Sequence, residues 1–186
     1  TAMKILAIRL KNLASLAGPF EIDFTAEPLA SAGLFAITGP TGAGKSTLLD
    51  ALCLALFGAV PRLSNAQVSA KAPDADGEIS TGDPRTLLRR GTGEGYAEVD
   101  FVGIDGRRYR ARWEANRARE KAGGKLQASR QSLRDLDQDQ LLASQKVEFK
   151  IQLEAVLGLN FEQFTRAVLL AQSEFSAFLK ANDNER

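Results

Sequence analysis

Apolar residues recur in two rhythms along this chain, every second residue in some stretches and every third or fourth in others. Residues 4–10 (Lys-Ile-Leu-Ala-Ile-Arg-Leu) read as a strand with mixed alternation, ended by a polar turn at Lys11-Asn12. Phe20, Ile22 and Phe24 alternate with Glu21 and Asp23, the pattern of a half-buried strand. Leu34-Phe35-Ala36-Ile37-Thr38 is a short apolar run against a glycine-rich segment, which suits a buried strand. From Ser46 to Phe57 the chain is apolar on nearly every side, with Asp50 its only full charge, so a central buried helix is predicted. Gly58 and Pro61 stop it.

Residues 58–95 are rich in Gly, Ser, Pro and Asp and read as a long loop region, longer than an ordinary connection. A basic β-hairpin is expected over 96–113. Ala97, Val99 and Phe101 alternate with Glu98 and Asp100, Asp105-Gly106 supplies the turn, and Tyr109, Ala111 and Trp113 alternate with Arg108, Arg110 and Arg112. Residues 116–130 read as a polar, basic loop. Leu141–Leu157 is expected to be helical, anchored by Val147, Ile151, Val156 and Leu157. Asn160 with Gln163 three residues on predicts a capping box for a helix carrying Phe161, Phe164, Val168 and Leu169. Phe175, Phe178 and Leu179 predict a further short amphipathic helix. The sum is an α/β fold with an antiparallel β portion.

Composition narrows the function. The net charge of +1 gives no global field towards nucleic acid or membrane, but residues 85–130 hold 12 Lys+Arg against 6 Asp+Glu. Cys53 is the one cysteine and no histidine occurs, which excludes a disulfide framework, a cysteine-based metal site and histidine acid–base or zinc chemistry within these residues. A reducing cytoplasm is the expected location. No signal peptide is visible and no run reaches membrane-spanning length. Thr1-Ala2 before Met3 reads as a cloning scar, with Met3 the natural start.

The chemistry concentrates at Gly39-Pro40-Thr41-Gly42-Ala43-Gly44-Lys45-Ser46, which matches G-x-x-x-x-G-K-[ST]. Glycines let backbone N–H groups wrap phosphates, and the helix that follows adds its positive dipole end. Lys45 is expected to reach the β and γ phosphates of ATP, and Ser46 to place its hydroxyl on Mg²⁺. A strand before and a helix after complete the expected context.

The run Phe35–Ala51 around this motif resembles the opening of the SbcC family, SMC-like ABC-type ATPases of DNA double-strand-break repair. Met3-Lys4-Ile5-Leu6 with Arg9-Leu10-Lys11-Asn12-Leu13 is similar too, as are Phe57 with Pro61-Arg62-Leu63-Ser64, and Phe164-Thr165-Arg166 with Leu169-Leu170-Ala171-Gln172-Ser173-Glu174-Phe175. The resemblance implies that 1–186 is the N-terminal half of an ABC-type P-loop NTPase head. In that family a coiled coil with a zinc hook follows, then a C-terminal half bearing the signature motif and the Walker B acid. It implies a nucleotide site over Gly39, Pro40, Thr41, Gly42, Ala43, Gly44, Lys45, Ser46 and Thr47. Gln172 matches the Q-loop glutamine, which touches Mg²⁺ and the attacking water, so Lys45 and Gln172 are the implied catalytic residues and Ser46 and Gln172 the implied metal contacts. The implied partners are the C-terminal half, the nuclease SbcD and a second head in an ATP-dependent dimer. One departure is that Ala14 or Ser15 stands where some relatives carry a nucleotide-reaching arginine.

No apolar strand ending in Asp-Glu and no Ser-Gly-Gly signature occurs, so the chain alone is expected to hydrolyse ATP poorly or not at all, and to expose apolar surface where the other half would complete the sheet. Its stop at Arg186, where the family's coiled coil begins, suggests an engineered head fragment. A self-contained P-loop kinase, an ABC transporter subunit and a pure interaction module are the alternatives. DNA contact is a second expectation, resting on Arg108, Arg110 and Arg112 with Arg117, Arg119, Lys121 and Lys125 beyond them. The reading favoured for each of these arginines taken singly is the wet face of an antiparallel sheet.

Overall fold

The computed structural model describes residues 3–25, 43–64, 70–74 and 77–168, with the side chains of 43–46 and 64 outside that description. Its centre is a six-stranded sheet in the order β2-β1-β5-β6-β7-β8. The strands are β1 (Lys4–Lys11), β2 (Phe20–Asp23), β5 (Glu94–Val102), β6 (Arg108–Asn116), β7 (Arg130–Asp135) and β8 (Gln140–Ala143). Every pairing among the described residues is antiparallel. Helix α1 (Ala43–Phe57) packs on β1, β5 and β6, and α2 (Pro61–Ser64) is a single turn. A separate two-stranded ribbon, β3 (Lys71–Asp74) with β4 (Gly77–Ser80), follows. Helix α3 (Lys146–Leu157) packs on β7 and β8, and residues 161–168 are helical.

Pleating sorts each strand into two faces. Ile8, Leu10, Ala97, Val99, Phe101, Tyr109, Ala111, Trp113 and Leu133 point to α1 and α3 and are buried. Ala97, Ala111 and Ala115 leave room on the sheet for α1, whose residues Ala51–Leu56 are all enclosed. The helix predicted as hydrophobic all round is therefore the hub of the core. It stops at Gly58, in the left-handed region at φ +63°, whose N–H donates to Leu54 O at 2.8 Å. A Cβ on Gly58 would lie 2.6 Å from Nε2 of Gln131, so β7 also needs a glycine there. The Asn160–Gln163 capping box forms in both directions, Asn160 N–H to Gln163 Oε1 at 3.0 Å and Gln163 N–H to Asn160 Oδ1 at 2.8 Å.

Several local expectations change. The stretch 58–95 carries α2, the β3–β4 ribbon and a 3₁₀ turn (Pro84–Leu87) capped by Asp83, and its last two residues begin β5. The hairpin expected over 96–113 runs from 94 to 116 and is the middle of a larger sheet. Leu141–Leu157 is not one helix, because β8 occupies 140–143 before α3 starts at Lys146. Within α3 the buried anchors are Phe149, Leu153 and Leu157, whereas Val147 and Ile151 face outward. Phe20 is exposed too, and Phe24, just past β2, is buried instead. The strand expected at 34–38 and the helix expected around Phe175 lie outside the described residues.

Candidate nucleotide site and its sheet

Helix α1 begins at Ala43, inside the glycine-lysine-serine motif. Ala43, Gly44, Lys45 and Ser46 thus form its first turn, where backbone N–H groups have no partner within the helix. No acidic residue sits in that turn to compete for its positive end. Gly39, Pro40, Thr41, Gly42 and Gln172 lie outside the described residues, as do the Lys45 and Ser46 side chains. Thr47 is buried at the base of the turn. The end of the helix is fixed from below, since every residue from Ala51 to Leu56 is packed against the sheet or its neighbours.

One turn further on, Asp50 is buried on α1, and Arg62 Nη2 of α2 lies 2.7 Å from its Oδ2. Burial pushes the Asp50 carboxyl upward and the Arg62 guanidinium opposes this. The Cys53 thiol, enclosed on the same helix and near the Asp50 charge, is pushed up to about 12 and is an inert core group. The sequence flags Asp50 only as the lone charge of an apolar helix and Arg62 only within the Pro61–Ser64 resemblance; nothing in it pairs the two.

The arginine stripe of β6 is a different object from the basic face expected. On the sheet face away from α1, Arg9 reaches three carboxylates: Glu21 at 3.1 Å, Glu98 at 2.9 Å and Asp100 at 2.8 Å. Arg110 bonds Asp100 at 2.7 and 3.0 Å, and Arg112 bonds Glu98 at 2.9 Å while stacking over the Tyr96 ring at 4.1 Å. Arg108 pairs with Asp137 at 2.8 Å, and Lys11 with Glu94. Burial pushes the Asp100 carboxyl up, but hydrogen bonds from Arg110 and Arg9 outweigh it and hold the group below the usual carboxylate range. The stripe is neutralised by the acidic residues of β5 directly opposite it, Asp100 against Arg110 and Glu98 against Arg112.

Of the remaining cations named from sequence, Arg117 is held by Asp74 at 2.8 Å and by Gly124 O at 3.2 Å. Arg119, Lys121 and Lys125 make no ion pair among the described residues, and neither do Arg89, Arg90 and Arg130. The pairings Glu94–Asn116 and Glu114–Arg130 bring these segments to one end of the sheet. Among the described residues no cluster of His, Cys, Asp or Glu could hold a metal ion, and no helix is long and apolar enough to cross a membrane.

The AAA domain family matches residues 7–186. The chain is 73% identical over 185 residues to the SbcC subunit of the SbcCD nuclease of Pseudomonas aeruginosa, covering 99% of this chain and 15% of that protein. It is 57% identical over 185 residues to the same protein of Rhodobacter capsulatus, again 99% and 15%. Against that of Bacillus subtilis it is 32% identical over 184 residues, 99% and 15%. It thus spans about 15% of the length of these relatives. With a mixed α/β fold, a long antiparallel sheet and a helix rising from its glycine-lysine-serine motif, the chain belongs to the AAA domain family of P-loop proteins and matches the N-terminal segment of SbcC-type proteins.

Proposed function

We propose that the chain is the ATP- and Mg²⁺-binding half of an SbcC-type, ABC-type ATPase head, working in the cytoplasm. With the nuclease SbcD it would process DNA ends and hairpins in an ATP-dependent way. The supporting observation is the start of α1 at Ala43, which makes the last four motif residues a first turn whose N–H groups have no partner within the helix. Gly39 through Thr47 wrap the phosphates, and Lys45 neutralises the β and γ oxygens. Ser46 and Gln172 would hold the Mg²⁺, which would supply charge neutralisation on the phosphates. The Gln172 amide orients the attacking water. The acid that activates this water comes from the C-terminal half, and a second head closes on the nucleotide.

The test is ATP–Mg²⁺ binding and turnover by the chain, with and without the C-terminal half, and with Lys45→Ala as control. Binding without turnover, with turnover restored by the other half, is the expected result. Efficient Lys45-dependent turnover by the chain alone would make it a self-contained P-loop enzyme and end this reading.

DNA contact belongs to the same proposal, but at the end of the sheet and not along the β6 stripe. Arg89, Arg90, Arg119, Lys121, Lys125 and Arg130, at that end, are among the cations without an ion pair among the described residues. They would hold phosphates without reading sequence. The logarithm of the duplex association constant should therefore fall linearly with the logarithm of salt concentration, and a flat response would remove the contact.

A further inference from the structure

Helix α3 has two apolar stripes. Phe149, Leu153 and Leu157 enter the core, while Val147 and Ile151 are 75% and 65% exposed on the opposite side, with Ala155 completing the outer stripe. Beside this stripe runs a groove of about 950 Å³ whose walls include Phe57, Phe161, Val147, Lys150, Ile151 and Glu154. Lys150 and Glu154 lie on the groove side of the outer stripe and make no ion pair among the described residues. At 100° per residue they share one flank of α3, with Lys150 towards its N-terminus and Glu154 towards its C-terminus.

This arrangement is self-complementary. A two-fold axis perpendicular to two antiparallel helices keeps like flanks on the same side and reverses their direction. Centred beside Ile151, it sets each Lys150 against the other Glu154, twice, with the two Ile151 side chains meeting next to the axis. The same charge logic selects partners at the flanks of antiparallel coiled coils. In a parallel two-fold arrangement that flank would face the opposite flank of the second helix, and neither cross-pair would form.

We propose that this face is a self-association surface, on which a second copy of the chain docks its α3 antiparallel in the groove. One helix and its groove form a contact at the small end of the interface range, so the dimer is weak and concentration-dependent. It uses none of the nucleotide-site residues, so it forms equally with and without ATP–Mg²⁺. This separates it from the ATP-dependent closing of two heads in the function proposed above, and either can fail alone.

The experiment is sedimentation equilibrium of the chain across the micromolar range, with and without ATP–Mg²⁺. The expected result is a reversible monomer–dimer equilibrium indifferent to nucleotide. Lys150→Glu and Glu154→Lys should each weaken it by about tenfold or more. An equimolar mixture of the two variants should recover dimer, because both cross-pairs are then opposite in sign. Ile151→Glu should abolish it. An Ile151→Cys variant should yield a disulfide-linked dimer under mild oxidation, the enclosed Cys53 remaining silent, both in the chain and in the longer protein. A chain that stays monomeric throughout, variant mixtures that do not recover, or an Ile151→Cys variant that fails to cross-link would each overturn the proposal.

Discussion

The two faces of the β1–β5–β6 sheet are made by the same strands and held by different physics. The face under α1 is built from size: Ala97, Ala111 and Ala115 make room, while Phe101, Tyr109 and Trp113 fill it. The face away from α1 is built from charge: Arg9, Arg110 and Arg112 share Glu98 and Asp100. Glu98 and Asp100 are themselves only 9% and 7% exposed, so this outer layer has a shielded centre. Burial on the inner face is non-directional and scales with apolar area. Pairing on the outer face depends on each partner's geometry, and losing one member strands another. Deletions should therefore differ in size and in pH dependence between the two faces.

The largest effect is expected inside. Trp113→Ala removes the largest enclosed side chain from between α1 and the sheet. A loss of about 3–5 kcal/mol is expected in denaturant unfolding, because the surrounding strands cannot collapse into the gap. A loss below about 1 kcal/mol would mean that α1 is not seated on this face as described.

A smaller loss, with a pH signature, is expected outside. Asp100→Asn keeps one acceptor oxygen but leaves Arg9 and Arg110 short of a charge, at a cost of about 1.5–3 kcal/mol near neutral pH. The Asp100 carboxyl sits below its ordinary value when folded, so its contribution is present above about pH 3.9 and is lost as pH falls through the folded value. Asp83, pushed up by burial and more than compensated by Arg85, acts in the same direction. Asp50 acts in reverse: burial raises its folded value, so its contribution is full at low pH and is lost as pH rises through that value. Acid titration of unfolding should be shallower in Asp100→Asn than in the parent. Equal slopes would show that the Arg9–Asp100–Arg110 centre does not carry the acid sensitivity.

The inner face is legible in the sequence and much of the outer architecture is not, for physical reasons. Helix α1 announces itself because from Leu48 to Phe57 all but Asp50 are apolar, and β5–β6 because two alternating runs flank Asp105-Gly106. Strand β7 hides because Leu133 is its one apolar residue, and its other enclosed residue is Asp135, whose carboxylate accepts N–H bonds from Asp137 and Gln138. The β3–β4 ribbon hides behind Pro73 and a near-absence of branched residues. In α3 the period is readable but the inward stripe is not, because Val147–Ile151 and Phe149–Leu153 have the same spacing. The arginines of β6 are readable as a row, but what neutralises them depends on strand register, which sets Asp100 against Arg110. At the nucleotide site, the motif gives the residue types and the start of α1 gives the place of Ala43–Ser46 in its first turn.

The finest contrast lies within the polar side, between arginines that hold the sheet and cations that are free for a partner. Arg110→Gln takes a charge from the centre of the ladder, and should lower stability while leaving duplex DNA affinity unchanged, because Asp100 already satisfies that guanidinium. Arg119→Gln with Lys121→Gln removes two unpaired charges from the sheet end, where stability should shift by no more than about 0.5 kcal/mol. If both contact phosphates, affinity falls and the slope of log K against log salt flattens by about 1.8. Anisotropy titrations at several salt concentrations distinguish the two sites. A folded Arg110→Gln variant with the flattened slope, beside an unaltered double variant, would return DNA contact to the β6 stripe and show that its carboxylates release the arginines when a phosphate arrives.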